Sequence, residues 1–276
     1  MAEIETQNVS FSYSEAGDVL RSVSLQIRRG EFVALIGQNG SGKTTLAKHL
    51  LGLLRPREGK VVIQGDDIRS KAVGEIARRV GYVFQNPDHQ IFSATTREEI
   101  AYGPQNLQLQ EAEIVDRTEH AMDRFNLTAH SERQPATLSH GIRRKVALAS
   151  IYAMDPRIWI LDEPTGGLDW RSTQETMALL HELNEAGKTI VLITHDMQIV
   201  AEHTERCIVM SEGQVVAHEA TRTVMERSET LGITPPQAWK LGSALDLHPP
   251  PLTVEAFCRN YGEKLAAGRG ISVGRS

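Results

Sequence analysis

Gly37-Gln38-Asn39-Gly40-Ser41-Gly42-Lys43-Thr44 lies between an apolar run, Phe32 to Ile36, and a helix-like stretch, Leu46 to Leu53. The spacing is G-x-x-x-x-G-K-S/T in a strand–loop–helix setting, the pattern of a phosphate-binding loop. Its chemistry follows from the residue types. Glycine has no Cβ, so backbone N–H groups can close around a phosphate. Lys43 supplies a point charge to the outer phosphate oxygens, and Thr44 a hydroxyl suited to Mg²⁺. The helix N-terminus adds the positive end of its dipole. Gln38, Asn39, Ser41 and Thr45 complete the loop's candidate contacts.

Working outward, Glu3 to Phe11 alternates polar and apolar residues and reads as a strand, with Ser24 to Ile27 as an antiparallel companion. Arg55-Pro56 is expected to stop the first helix. Strands are expected at Lys60 to Gln64, Val80 to Phe84, Ile158 to Leu161 and Thr189 to Ile193. The amphipathic stretch Ser172 to Ala186 joins the last two as a βαβ crossover, which implies parallel pairing in a covered sheet. Arg206 to Met210 and Gln214 to Ala217 flank Ser-Glu-Gly and read as a hairpin. Between Asn86 and about Met154 the chain turns polar and helical, with helices expected at Glu98 to Tyr102, Glu111 to Phe125 and Gly141 to Tyr152. From about Ser228 the prolines at 235–236 and 249–251 mark a loosely packed helical extension, and Gly268 to Ser276 is expected to be disordered. The expected fold is therefore α/β. Residues 1–227 form the main domain, with a helical insert at about 86–154, and 228–276 form the extension.

Ile158-Trp159-Ile160-Leu161-Asp162-Glu163 is an apolar strand ending in two acids. It puts Asp162 near the metal of a bound nucleotide, at the carboxyl edge of the sheet where ligands bind. Glu163, one residue on, is placed to polarise a water as a general base.

The 276 residues are 40% apolar and 24% charged, with a net charge of −5. That balance fits a globular protein and leaves no overall basic surface for a nucleic acid, so no nucleic-acid partner is expected. Cys207 and Cys258 stand far apart, which fits a reducing compartment. Met1 to Ser10 lacks a basic segment followed by an apolar one, so no export signal is expected. No apolar run reaches the roughly 18–20 residues of a bilayer span. The histidines show no zinc-ligand spacing, so no protein-bound zinc is expected.

Six features stand in order: the phosphate loop, Gln85 after a strand, Leu138-Ser139-His140-Gly141 opening a helix, Leu161-Asp162-Glu163-Pro164, Gly167-Leu168-Asp169 and Thr194-His195-Asp196. Over about residues 3 to 227 they resemble an ABC-type ATPase. The resemblance implies ATP and Mg²⁺ as cofactors and a head-to-tail dimer that sandwiches two ATP molecules. It assigns Tyr13 to adenine stacking and Gln85 to sensing Mg²⁺ and the attacking water. Ser139 and Gly141 would bond the partner's γ-phosphate, Asp169 would lie at the dimer seam, and His195 would clamp the γ-phosphate. Translation-type soluble relatives usually carry two cassettes and repair types carry long coiled coils; this chain has one cassette and no sustained heptads. A nucleotide kinase with the same loop leaves Leu-Ser-x-Gly and Thr-His-Asp unexplained.

A narrower likeness runs through Val83 to Leu107 (VFQNPDHQIFSATTREEIAYGPQNL) and Leu231 to Pro236. Both are similar to the ATPase subunits of energy-coupling-factor transporters, which power uptake of vitamins or of nickel and cobalt ions. This implies a chain peripheral to the cytoplasmic face of the membrane. It also implies an integral membrane coupling subunit docked at Asp88 to Ala94, and a separate membrane subunit for the substrate. One motif departs from the family's Leu-Ser-Gly-Gly-Gln: His140 replaces a glycine and Ile142 the glutamine. Two readings follow, a heterodimer with unequal sites or a tolerated variant.

Overall fold

The computed structural model describes residues 2–14 and 17–268. The end expected to be disordered therefore lies, beyond Gly268, outside the described residues. In chain order the elements begin with β1 (Ala2–Phe11), β2 (Leu20–Arg28), β3 (Phe32–Gly37), α1 (Lys43–Leu50), β4 (Glu58–Ile63) and β5 (Asp66–Asp67). Next come α2 (Val73–Ala77), β6 (Val80–Val83), α3 (Thr96–Asn106), α4 (Glu111–Arg124), α5 (His140–Met154) and β7 (Ile158–Asp162). The chain closes with α6 (Trp170–Glu185), β8 (Thr189–Ile193), α7 (Met197–His203), β9 (Arg206–Ser211), β10 (Gln214–Ala220), α8 (Thr221–Glu226), α9 (Gln237–Ala244) and α10 (Val254–Gly268).

Two sheets result. The first is antiparallel, in the order β2-β1-β4-β5. Strand β2 shows why: Leu20, Val23, Leu25 and Ile27 are buried while the residues between them are exposed, the alternation of a sheet covered on one face. The second runs β10-β9-β3-β8-β7-β6, parallel from β9 to β6 with β10 antiparallel at the edge. Strands β7 and β8 are buried at every position, as continuous apolar runs are when helices cover both faces. The crossover expected through Ser172 to Ala186 is α6, and β7 and β8 are direct parallel neighbours.

Parallel order decides where the chemistry sits. β3 ends in the phosphate loop, β6 runs out towards Gln85, β7 ends at Asp162, and β8 leads to Thr194 and His195. All four strands point the same way, so these four loops meet at one carboxyl edge.

One expectation needs correction. Helix α1 stops at Leu50, before Arg55-Pro56 is reached. The cause is Gly52, which takes φ 68°. There the Leu53 N–H reaches the Lys48 carbonyl at 2.9 Å and the Gly52 N–H reaches that of His49 at 2.9 Å. This is a Schellman cap, and glycine is the residue that takes its left-handed position without strain.

The insert is a three-helix layer. Ile100 of α3, Met122 of α4 and Val146 of α5 share a core with Trp159 of β7 and Leu180 of α6. Helix α3 is opened by a capping box, with Thr95 Oγ1 accepting from the Glu98 N–H and Glu98 Oε2 from the Thr95 N–H. The extension reaches back to the sheet: Leu231, Ile233, Trp239 and Leu252 pack with Ala34 and Ile36 of β3 and Val200 of α7. Among the described residues no helix is long and apolar enough to cross a membrane.

Trp159 is 1% exposed and its indole N–H has no hydrogen-bond partner. Trp159→Ala is expected to cost about 3–5 kcal/mol in urea unfolding, the range for emptying a large aromatic site in a packed core.

Candidate nucleotide site

The phosphate loop takes its shape from two glycines. At Gly37 a Cβ would stand 2.2 Å from the Met210 carbonyl oxygen, so the strand end passes β9 too closely for any side chain. Gly40, at φ 80°, takes the left-handed backbone that glycine adopts without strain. Lys43 folds over the loop and donates from Nζ to the carbonyls of Gly37 (2.8 Å) and Gln38 (2.9 Å). Burial pushes its pKa down, while the charges of Glu163 and Asp162 oppose that shift. The Gln38 amide donates to the Gly232 carbonyl in the extension at 3.3 Å.

Opposite the loop stand the two acids. Asp162 Oδ2 accepts hydroxyls from Thr44 (3.1 Å) and from buried Tyr82 (2.8 Å). Burial, with the Asp162 charge second, raises the Tyr82 pKa, so its proton stays on the phenol and is donated to Asp162. Glu163 takes the left-handed backbone at φ 49°, unusual for a non-glycine and costing on the order of 1–3 kcal/mol. Three contacts hold it there. Oε2 accepts from the Thr194 hydroxyl (3.0 Å), Oε1 accepts from the His195 N–H (3.0 Å), and Oε1 lies 2.6 Å from His195 Nδ1. The His195 ring is otherwise 73% exposed, which leaves Nε2 as its available nitrogen.

Lys43, Thr44, Gln85, Asp162, Glu163 and His195 thus line one cleft of about 280 Å³, with Asn39, Gly40, Gly42 and Thr45 along its loop side. The residues fit a magnesium nucleotide. The Thr44 hydroxyl and the Asp162 carboxylate are hard oxygen donors held side by side at 3.1 Å, and Gly40, Gly42 and Lys43 line the same cleft for phosphate oxygens. Tyr13 stands 57% exposed, edge-on to Phe11, with its hydroxyl 3.3 Å from Thr45 Oγ1.

Of the sequence-predicted residues, Tyr13, Gly37, Gln38 and Ser41 belong to the loop side without lining this cleft, and Ser139, Gly141 and Asp169, from later segments, do not line it either. Ser139 precedes α5 as its N-cap residue, yet its side chain makes no capping bond. Asp169 does cap α6 through the Ser172 N–H at 2.8 Å, which holds its carboxyl below the usual range. The variant residues of the same segment differ in surroundings. The His140 ring comes within 3.5 Å of where a Cβ on Gly167 would stand. Ile142 packs on the apolar core of the helical insert.

Sequence reading missed Tyr82, Thr194 and Arg144. Tyr82 was a hydroxyl inside an apolar strand and Thr194 a residue of the Thr-His-Asp motif. Arg144 stands in the short basic run Arg143-Arg144-Lys145, which by itself reads as a solvated face, yet it is buried. Thr194→Val removes a buried donor to a carboxylate while keeping the shape, so it is expected to cost about 1.5–3 kcal/mol of stability, read by urea denaturation.

Known proteins match this arrangement. The ABC transporter family profile matches residues 20–166. The energy-coupling factor transporter ATP-binding protein EcfA of Methanothermobacter thermautotrophicus is 39% identical over 230 residues, 83% of this chain and 74% of its own length. The solved structure of cbiO1 from Clostridium perfringens, part of the ABC transporter complex cbiONQ, superposes with a TM-score of 0.74 at 30% identity, over 89% of this chain and 99% of that one. A dimeric ATP-binding cassette solved in a post-hydrolysis state with ADP and phosphate gives a TM-score of 0.70 at 30% identity, covering 79% and 98% of the two chains. Other curated relatives are longer, and the chain spans 43%, 39% and 42% of the length of three putative ABC transporter ATP-binding proteins. With the family profile matching residues 20–166 and a relative 39% identical over 74% of its own length, the chain belongs to the ABC transporter family as an ATP-binding cassette.

Proposed function

We propose that this cassette hydrolyses ATP as the motor subunit of an energy-coupling-factor type importer. One observation carries the ATPase part. The cleft joins a phosphate loop, two acids and a histidine, while two candidates from a separate segment, Ser139 and Gly141, stand outside it and the Ser139 side chain makes no capping bond. A second cassette chain completes each site by presenting its own Ser139-Gly141 counterpart, and a helix N-terminus suits that task. The existence of a dimeric cassette structure at 30% identity supports this pairing.

ATP with Mg²⁺ supplies the phosphoryl group and neutralises its developing charge. Lys43 exchanges its bonds to the Gly37 and Gln38 carbonyls for phosphate oxygens. Thr44 and Asp162 would hold the cation, with Gln85 lining the same cleft. Glu163 orients the attacking water and takes its proton, its carboxylate already aimed by Thr194 and the His195 backbone. His195 presents Nε2 to the terminal phosphate. Tyr13 offers its exposed ring to the adenine.

The importer part rests on the relatives and on a surface. EcfA is named as an energy-coupling factor subunit, and cbiO1 as part of a transporter complex. Within the expected docking stretch Asp88 to Ala94, Phe92 is 65% exposed and stacks edge-on with exposed Tyr102, centroids 4.7 Å apart. An integral membrane subunit docks on this aromatic pair at the cytoplasmic face, and a separate membrane subunit binds the vitamin-like molecule or transition-metal ion.

Lys43→Ala is expected to weaken ATP binding about 10- to 100-fold, the worth of one charge-assisted contact, measured by titration with a fluorescent nucleotide. Glu163→Gln should bind ATP normally but hydrolyse it about 10²- to 10⁴-fold more slowly; hydrolysis at the normal rate removes Glu163 from its role. Phe92→Ala combined with Tyr102→Ala should release the chain from the membrane fraction, and unchanged co-sedimentation with membranes rules out this docking surface.

A further inference from the structure

We infer that Arg144 is a positioning residue that clamps the main chain of Gln85 to helix α5, so that the glutamine at this chain's nucleotide and the helix start offered to the partner's nucleotide move as one piece. The inference rests on the ATPase reading above.

The geometry is specific. Strand β6 leaves the ladder at Val83, so the carbonyls of Phe84 and Gln85 need other partners. Arg144 provides them. Its Nη1 donates to the Phe84 carbonyl at 2.8 Å and its Nη2 to the Gln85 carbonyl at 2.7 Å. The residue is 2% exposed and its Nε has no partner. An interior guanidinium carries a desolvation penalty of several kcal/mol, and an apolar residue in the same space often stabilises a fold as well or better. The guanidinium's two bonds satisfy both carbonyls and at the same time fix where the Gln85 main chain stands. Burial pushes its pKa down, and the charges of Asp162 and Glu163 oppose that shift without cancelling it.

Two further ties run between α5 and the same loop. Gln90 accepts from the Phe84 N–H at 3.3 Å and donates to the Ala147 carbonyl at 2.8 Å and to Ser150 Oγ at 3.0 Å. Arg143 pairs with Asp88 at 3.1 Å. Residues 84–90 are thus held by α5 through three side-chain links, while the Gln85 side chain itself stays free to face the cleft. Arg144 lies one helical turn beyond Gly141, and a helical turn transmits displacement nearly rigidly. A phosphate bonded by Ser139 and Gly141 in one site then sets where Gln85 stands in the other. That is a physical route for coupling two sites, and such coupling acts in both directions.

The test uses the full chain with Arg144→Met and Arg144→Lys, alone and combined with Gln85→Ala. Amide exchange at residues 84–91 is expected to speed up about tenfold or more in Arg144→Met, without nucleotide, while residues 37–45 keep their protection. In steady-state ATP hydrolysis kcat should fall about tenfold with KM for ATP within about twofold, and Arg144→Lys should recover part of the loss. On a Gln85→Ala background Arg144→Met should add no further loss, because both act through one group. Unchanged exchange at 84–91 overturns the inference. So do losses that multiply in the double variant, or exchange that speeds up across the whole chain equally for Met and Lys. Absence of Mg²⁺-dependent ATP binding by the unaltered chain instead overturns the underlying ATPase reading, and it is read separately from the exchange experiment.

Discussion

Oδ2 of Asp162 receives the hydroxyls of Thr44 and Tyr82, and the rest of the site is organised around that oxygen. Thr44 belongs to the helix that follows the phosphate loop, Tyr82 to β6 and Asp162 to β7. The shared acceptor therefore pins the loop to two neighbouring strands of the parallel sheet. A carboxylate that accepts two hydroxyls at the mouth of a buried strand is held in one orientation, and a fixed oxygen donor is what a hard cation requires. If the strands were antiparallel, these residues would end at opposite edges and the oxygen would have one partner.

The second acid depends on a different economy. Glu163 sits in backbone geometry that a non-glycine rarely adopts. Thr194 and His195 hold it from the adjacent strand end. The strained turn moves the carboxylate off the axis of β7, so that two consecutive acids serve different partners, Asp162 the loop and Glu163 the histidine.

What the sequence made legible was local and periodic. The phosphate loop, the buried runs of β7 and β8 and the crossover between them follow from spacing and apolar pattern, and the four functional loops converge as parallel order requires. The misses share a cause, namely partners distant in sequence. Tyr82 bonds a residue 80 positions away and Thr194 one 31 positions away. Arg144 read as surface charge because nothing in its own segment reveals that two carbonyls near residue 85 lack ladder partners. The early end of α1 was missed for another reason, since Arg55-Pro56 is a conspicuous breaker and Gly52 a quiet one. His140 and Ile142, alike as departures from a motif, have different environments: the first leans over Gly167 and the second faces apolar neighbours.

The contact between Gln38 and Gly232 has a mechanical meaning. The second residue of the phosphate loop is fastened to the stretch where the cassette gives way to its C-terminal helices, and that stretch is packed beneath the very strand that carries the loop. The approach to the C-terminal helices and the loop that would seat a nucleotide thus share a wall of the same small core.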